Sequence, residues 1–300
     1  MRSDWKAEIL RLLAGKCRFY EPLSAHTSFR TGGPADVFAS PATEEEFARA
    51  VVFARSNHIA LTILGRGSNV IVADKGIRGI VCETSGLCGV SVSGRTIRAG
   101  AGALLDDAVR AAVSAGLGGM EKLSGIPGSA GGALGMNAGA FGQETGDCFV
   151  RLRGLDAQSA PVSLQKKDLS FGYRKSGLPE GLIILSAEWE LVPSDRAALE
   201  NTRREILAAR AQKQPLEYPS AGSVFKRPPG NFASKLIEEA GLKGLREGGA
   251  QVSEKHAGFI VNTGNAAAAD IMKLIETVRR RVKAATGIEL ELEQIPLGEF

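Results

Sequence analysis

The stretch "LTILGRGSNVIVAD" (residues 61–74) carries one apolar, β-branched run into Gly65, Arg66, Gly67, Ser68 and Asn69 and a second such run out of them. A Rossmann fingerprint or a P-loop needs a helix to open directly behind its glycines. Here a strand follows, so neither fold is indicated. Successive small residues can still turn several backbone N–H groups toward one anion, and Ser68 and Asn69 add side-chain donors to such a nest. A pyrophosphate is the natural guest.

Glycine clusters recur at 76–79, 116–119, 125–142 and 241–249. The stretch "SGIPGSAGGALGMNAGAFG" (124–142) is too rich in glycine for a stable helix and too apolar for a linker. A flat ligand lying against it is expected. "FRTGGPAD" (29–36) is a third such segment. A tight turn without a ligand would account for any one of them, but less readily for three.

Before residue 200, the runs "LTILG", "NVIVA", "GIVCE", "VSVSGRTIRAG" and "LIILSAEWELV" alternate with two helical patterns, "TEEEFARAVVFARSNH" and "LLDDAVRAAVSAG". The class is α+β. "NTRREILAARAQKQPLEYPSAG" then runs from a charged helix into a Pro and Gly loop and marks a boundary near residue 200. Behind it, "AAAADIMKLIETVRRRVKAATG" puts Ile271, Leu274, Ile275, Val278 and Val282 on one helix face, with Gly287 as the stop. "IELELEQIPL" follows and alternates as a strand.

Three hundred residues suit two or three domains. No run approaches the roughly 20 apolar residues of a membrane span, and "MRSDWKAEILRLL" is charged where a signal peptide is apolar. A cytoplasmic protein that uses no membrane is expected. Cys17, Cys82, Cys88 and Cys148, like His26, His58 and His256, are scattered without ligand spacing, so neither disulfides nor a metal site is expected. The net charge of +4 is too small to imply nucleic acid. The basic runs "NTRRE" and "VRRRVK" fall on amphipathic helices and read as solvated faces. A modest positive balance still suits an anionic small molecule.

Six segments in order, "SFRTGGPAD", "GRGSNVIV", "SGIPGSAGGALGMNAGA", "FGYRKSG", "AGSVFKRP" and "GGAQVSEKHAGFIVN", resemble the UDP-N-acetylenolpyruvoylglucosamine reductase (MurB) family over nearly the whole chain. The resemblance implies a two-lobed FAD-binding domain of the vanillyl-alcohol-oxidase (PCMH) type, plus a smaller α+β substrate domain. The expected division is 1–80 and 81–200 for the lobes and 201–300 for the substrate domain. The implied reaction uses NADPH to reduce UDP-N-acetylglucosamine enolpyruvate to UDP-N-acetylmuramate, a peptidoglycan precursor. About fifty residues separate Arg174 from Ser223, with no tyrosine between them but Tyr218, so the chain resembles the shorter type without a lid tyrosine.

By the same resemblance, FAD contacts fall on Arg30, Thr31, Gly65, Arg66, Gly67, Ser68, Asn69, Gly125, Pro127, Gly128, Ser129, Gly132, Asn137 and Gly139. No histidine lies in the two main FAD loops, so binding is expected to be non-covalent. The catalytic set is Arg174, Ser223 and Glu293. A guanidinium can hold a carboxylate through two parallel hydrogen bonds; without the resemblance, Arg174 reads as a surface residue. Ser223 is the family's proton donor. An alkyl hydroxyl is a poor acid, so nearby charge from Lys226 and Arg227 would have to favour the alkoxide. A nucleophilic Ser223 would need a base, and only His256 offers one. Glu293 would have to carry or share a proton beside the growing negative charge. It follows Leu292 and precedes Gln294, where the family usually has Pro or Thr and then Val, so Glu291 stays open as the alternative register. Substrate contacts are expected from Tyr173, Lys213, Lys226, Arg227, Lys235, Gln251 and His256, in a monomer.

Two other functions remain open on the residues: another FAD oxidase or dehydrogenase, which would not need the "AGSVFKRP" motif and the C-terminal glutamate, and a nucleotide-sugar binding protein without catalysis, against which Arg174, Ser223 and Glu293 stand.

Overall fold

The computed structural model describes residues 4–300. The chain forms two compact units: Met1–Phe19, Val37–Arg66 and Gly79–Ala209 make the first, and Tyr20–Asp36, Gly67–Arg78 and Arg210–Phe300 the second. These units interleave along the chain, whereas the sequence reading divides it consecutively at 80/81 and 200/201. The difference has a local cause. Gly33 and Gly76 belong to the second unit and lie where backbones touch: a Cβ on Gly33 would stand 2.0 Å from the Asp74 carbonyl oxygen, and one on Gly76 1.9 Å from that of Pro34. Contacts of this kind, set by glycine backbone and not by apolar periodicity, leave no boundary signal in composition.

The first unit holds two apolar cores. One lies under a five-stranded antiparallel sheet, ordered Pro161–Gln165, Phe149–Leu155, Ile183–Glu190, Thr96–Gly100, Val90–Ser93. The Leu105–Ser114 helix adds Leu105, Ala108, Val109 and Ala112 to that core, around the fully buried Trp189 and Met120. The other core joins the Trp5–Leu12 and Glu44–Ser56 helices to the parallel pairing of Leu61–Leu64 with Ile77–Glu83. Thr43 caps the second of these helices, its hydroxyl accepting from the Glu46 N–H at 3.2 Å, with three glutamates in the first turn. The Trp5–Leu12 helix has no counterpart in the sequence reading; its apolar face is too short to show a period.

The second unit packs the Ala268–Thr286 helix on a three-stranded antiparallel sheet of Arg246–Glu247, Ala250–Val252 and Ile260–Asn262. The stripe expected from the sequence is buried, each side chain contributing roughly 1.5–3 kcal/mol. Gly287 ends the helix in the left-handed conformation at φ 73°. Val70–Val72, the strand leaving the 65–69 loop, pairs in parallel with Ile295–Leu297.

Two local expectations are corrected. The glycine-rich 124–142 stretch does contain a helix, Ala130–Gly135, because the Ser129 hydroxyl caps it at the Gly132 N–H (3.2 Å) and buried packing replaces propensity. "IELELEQIPL" is a strand only over Ile295–Leu297. Upstream, alternation reflects a single antiparallel bridge between Phe225 and Leu292. No described helix is long and apolar enough to cross a membrane. All four cysteines are free, and no metal-holding cluster occurs among the described residues.

Candidate cofactor and catalytic sites

In the first unit, the Leu61–Leu64 strand ends at Gly65 beside a cavity of about 200 Å³. Apolar Ile63, Leu182 and Ile184 line it together with Gly65, Ser129, Gly131 and Gly132. A Cβ on Gly65 would stand 2.6 Å from the Ser129 Oγ, and one on Gly131 2.8 Å from the Ala101 Cβ. Larger residues would therefore fill this face. Thr84 also lines the cavity, and its buried Oγ1 has no protein hydrogen-bond partner. An apolar slot with a bare backbone face and an unmet hydroxyl fits a flat cofactor with a polar rim, as FAD is. Thr84 was not among the residues expected from the sequence. Its only signal is a polar side chain closing the β-run "GIVCET", at the carboxyl end where ligands sit in α/β sheets.

The loop expected to face the flavin starts at Gly125, in the left-handed region at φ 71°. Its N–H donates to Asp106 Oδ1 at 2.8 Å, and Arg203 grips both Asp106 oxygens at 2.7 Å. Partial burial pushes the Asp106 carboxyl up, but the hydrogen bonds from Arg203 and Gly125 outweigh it and hold the group below its ordinary range. Asp106 is a second residue missed in the sequence, where it reads as an ordinary acidic helix start. Because its folded pKa is depressed, its contribution is present above about pH 4 and is lost as pH falls through the folded value. Asp106→Asn should weaken FAD retention by roughly 2 kcal/mol and flatten the acid limb of the thermal midpoint, read by fluorimetry between pH 3 and 7. An unchanged acid limb would show that the pair does not anchor the loop.

Further along, the Leu105 N–H donates to the Gly128 carbonyl at 3.1 Å. Asn137 is buried and its side chain is fully occupied: Nδ2 donates to Glu144 Oε2 (2.6 Å) and to the Gly172 carbonyl (3.0 Å), while Oδ1 accepts from the Gly146 N–H (2.9 Å). It thus braces the tight turn Gly172–Lys175, closed by reciprocal backbone bonds of 2.8 and 3.0 Å. Arg174 stands at the tip of that turn in the left-handed region, φ 56°. Such a conformation is costly for a non-glycine residue and typical of functional sites. The guanidinium lies 5.2 Å from the centre of the exposed Tyr173 ring, and Nη1 reaches the Gly139 carbonyl at 3.4 Å. Two expected residues, Arg174 and Gly139, thus meet.

In the second unit, Gly67 is held at φ 59°, where a Cβ would stand 2.1 Å from the His26 carbonyl oxygen. The Ser28 N–H donates to the Gly67 carbonyl at 3.0 Å. Exposed Arg30, also left-handed at φ 57°, precedes Thr31, whose buried Oγ1 has no protein hydrogen-bond partner. Asn69 Nδ2 donates to the Glu293 carbonyl at 3.3 Å, and the Ile295 N–H donates to the Asn69 carbonyl at 2.9 Å. Asn69 and the expected catalytic glutamate are therefore neighbours.

The segment bearing Ser223 is held on both sides. Ser223 bridges Phe259, with the Val224 N–H donating to the Gly258 carbonyl at 2.9 Å. On the other side, the Lys226 N–H donates to the Glu291 carbonyl and the Glu293 N–H to the Val224 carbonyl, both at 2.8 Å. Glu293 is half-buried, whereas the Glu291 side chain is 71% exposed and paired to Lys226. That contrast favours Glu293 over Glu291 for the chemical role. It also ties Lys226 to a carboxylate.

The remaining substrate candidates are dispersed. Arg227 lies 4.6 Å from the centre of the Phe232 ring. Lys213 is exposed at the end of the Arg196–Lys213 helix, and Lys235 pairs with Glu239 at 3.7 Å. Gln251 accepts from Arg246 at 3.1 Å and donates to the Gly244 carbonyl at 3.4 Å within its own hairpin. Burial lowers the His256 pKa, and its Nδ1 accepts from the Gly258 N–H at 3.1 Å. A neutral imidazole with Nδ1 occupied organises the loop behind Ser223 and offers a ligand only the Nε2 donor.

The family model for the UDP-N-acetylenolpyruvoylglucosamine reductase C-terminal domain matches residues 214–295, and an FAD binding domain model matches 35–164. The chain is 45% identical over 297 residues to the UDP-N-acetylenolpyruvoylglucosamine reductase of Caldanaerobacter subterraneus, covering 99% of this chain and 98% of the relative. The chain belongs to the UDP-N-acetylenolpyruvoylglucosamine reductase family. A Streptococcus pneumoniae member of the family is also 45% identical, over 98% of both chains. The crystal structure of the Thermus caldophilus reductase superposes with a TM-score of 0.82 at 36% identity, covering 94% of this chain and all of that one. A glucose dehydrogenase variant of Phl p 4 has a TM-score of 0.50 at 14% identity, covering 65% of this chain and 45% of its own, a likeness of fold alone. The two-lobed, vanillyl-alcohol-oxidase type of FAD-binding fold is therefore the observed class.

Proposed function

We propose that this chain is the FAD-dependent oxidoreductase that uses NADPH to reduce UDP-N-acetylglucosamine enolpyruvate to UDP-N-acetylmuramate. The observation that carries the reading is the Ser223 segment locked to the Glu293 segment by backbone hydrogen bonds, inside the region matched by the reductase C-terminal model. Bound FAD supplies the hydride acceptor and donor between NADPH and the β-carbon of the enolpyruvyl double bond. Gly65, Ser129, Gly132 and Thr84, which line the first-unit cavity, are offered as residues that would hold it. The backbone donors of the 65–69 loop are assigned to its pyrophosphate.

Hydride addition at the β-carbon pushes the double-bond electrons onto the α-carbon and its carboxylate. Charge-assisted donors aimed at that carboxylate lower the barrier most. Arg174, raised on its braced turn, is assigned this role. Ser223 gives its hydroxyl proton to the α-carbon, completing the reduction, and regains one from solvent. Glu293 is assigned the part of a proton-bearing group toward the substrate. Tyr173, Arg227 and Lys235 are offered as contacts for the charged nucleotide. A single chain carries all three catalytic residues, so the reading takes the enzyme as a monomer. Both partners are polyanions that do not cross a bilayer unaided, which supports reading the enzyme as cytoplasmic.

The test is an anaerobic visible spectrum of the purified holoenzyme, taken before NADPH, after it, and after addition of the enolpyruvyl substrate. The yellow colour should bleach and then return. Bleaching without return would leave a flavoenzyme with a different acceptor. A protein unable to take up FAD would overturn the reading of the glycine loops.

A further inference from the structure

Gln294 is buried, with 2% of its surface exposed, directly after Glu293. Its Nε2 donates to the Ala221 carbonyl at 3.1 Å and to the Gly222 carbonyl at 3.3 Å, the two peptide groups that lead into Ser223. Gly222 stands in the left-handed region at φ 74°, with open space where a Cβ would be. The Gln294 amide donates to the carbonyls on both sides of that residue. Register points the same way. Phe225 pairs with Leu292 in a single antiparallel bridge. Extending that antiparallel register by two residues sets Gln294 opposite Ser223, the position from which cross-strand side chains meet.

The arrangement is not what folding alone selects. Two carbonyls fix which end of the amide faces the chain, so Oε1 is turned away, and it is buried without a hydrogen-bond partner. A buried orphaned acceptor destabilises a fold; an apolar side chain of equal length would remove it but would leave the Ala221 and Gly222 carbonyls without this donor. Local costs of this kind persist where a site requires them. We infer that Gln294 is a positioning residue for the reaction: it holds the Ala221–Gly222 peptides so that the Ser223 hydroxyl points at the carbon it protonates. The inference rests on the reading of Ser223 as proton donor.

The two ideas separate in one anaerobic stopped-flow series on the holoenzyme with Gln294→Met, Ser223→Ala and the double variant, following bleaching by NADPH and return of colour with the enolpyruvyl substrate. Gln294→Met should leave bleaching unchanged, slow the return at least about tenfold, and enlarge its solvent deuterium isotope effect, because misplacing a reacting group by about an ångström is costly. It should add nothing in the Ser223→Ala background. Its FAD content and bleaching rate should match those of the parent, which separates positioning from general damage. Gln294→Glu donates only while protonated, so its return rate should fall as pH rises, a dependence absent from Gln294→Met. If Ser223→Ala is slow while Gln294→Met returns at the parent rate, or if Gln294→Met slows both halves alike, the positioning role is overturned. If both single variants return at the parent rate, the proton-donor reading fails first and takes the positioning role with it.

Discussion

Ser223→Ala should bleach with NADPH as fast as the parent enzyme and recover its colour with the enolpyruvyl substrate about 10³-fold more slowly, the range in which a positioned general acid contributes. The two half-reactions separate because only the second requires a proton at carbon. NADPH delivers its hydride without needing Ser223, whereas hydride addition to the substrate leaves charge that only protonation of the α-carbon discharges. The local structure bears on the size of the effect. Lys226, the nearest cation in sequence, is paired with Glu291, so it offers the Ser223 alkoxide less charge than its position suggests. His256 is neutral, with Nδ1 accepting from the Gly258 N–H, and it lacks the free ring nitrogen and hydrogen-bonded serine that a nucleophile would need. Ser223→Cys, which keeps a donor of different acidity, should fall between parent and alanine. Equal slowing of both half-reactions in Ser223→Ala would show a structural lesion and remove the proton-donor assignment.

Features that depend on side-chain periodicity were legible from the sequence. The Ala268–Thr286 helix, its buried stripe and its Gly287 stop follow from a 3.6-residue period and one left-handed residue. The 65–69 loop was legible as a strand-to-strand turn because runs of branched residues flank it. What sequence could not show depends on partners distant in the chain. Asp106 anchors Gly125 only because Arg203, 97 residues away, neutralises it. The short Ala130–Gly135 helix defies its own composition because a serine cap and buried packing outweigh the glycine penalty. The catalytic register, open between Glu291 and Glu293 on alternation alone, is favoured toward Glu293 by burial, since Glu293 is half-buried and the Glu291 side chain lies at the surface. Gln294 looked like a departure from the family pattern; only the carbonyls it reaches give it a role.

Gly67→Ala should yield a folded but colourless protein whose FAD affinity falls by at least about 10²-fold, since the substitution adds about 1–2 kcal/mol of left-handed backbone strain to a clash that side-chain rotation does not relieve. Gly67 is held at φ 59°, and the atom a Cβ would meet at 2.1 Å is a backbone carbonyl, that of His26, with the Thr27 Cα at 2.8 Å behind it. The Ser28 N–H, bonded to the Gly67 carbonyl, ties the two backbones together, so one cannot move without the other. Relief must come from rotating the 66–69 peptides, the groups whose N–H donors are assigned to the pyrophosphate. Gly222→Ala is the matched control. It is equally left-handed at φ 74° but has open space around the new methyl, so it should keep its FAD and, through Ser223, lose speed only in the return of colour. Flavin content after gel filtration and a fluorescence titration with FAD read both variants. If Gly67→Ala retains FAD as well as Gly222→Ala does, the 65–69 loop is a turn and not a nest, and the pyrophosphate must be held elsewhere.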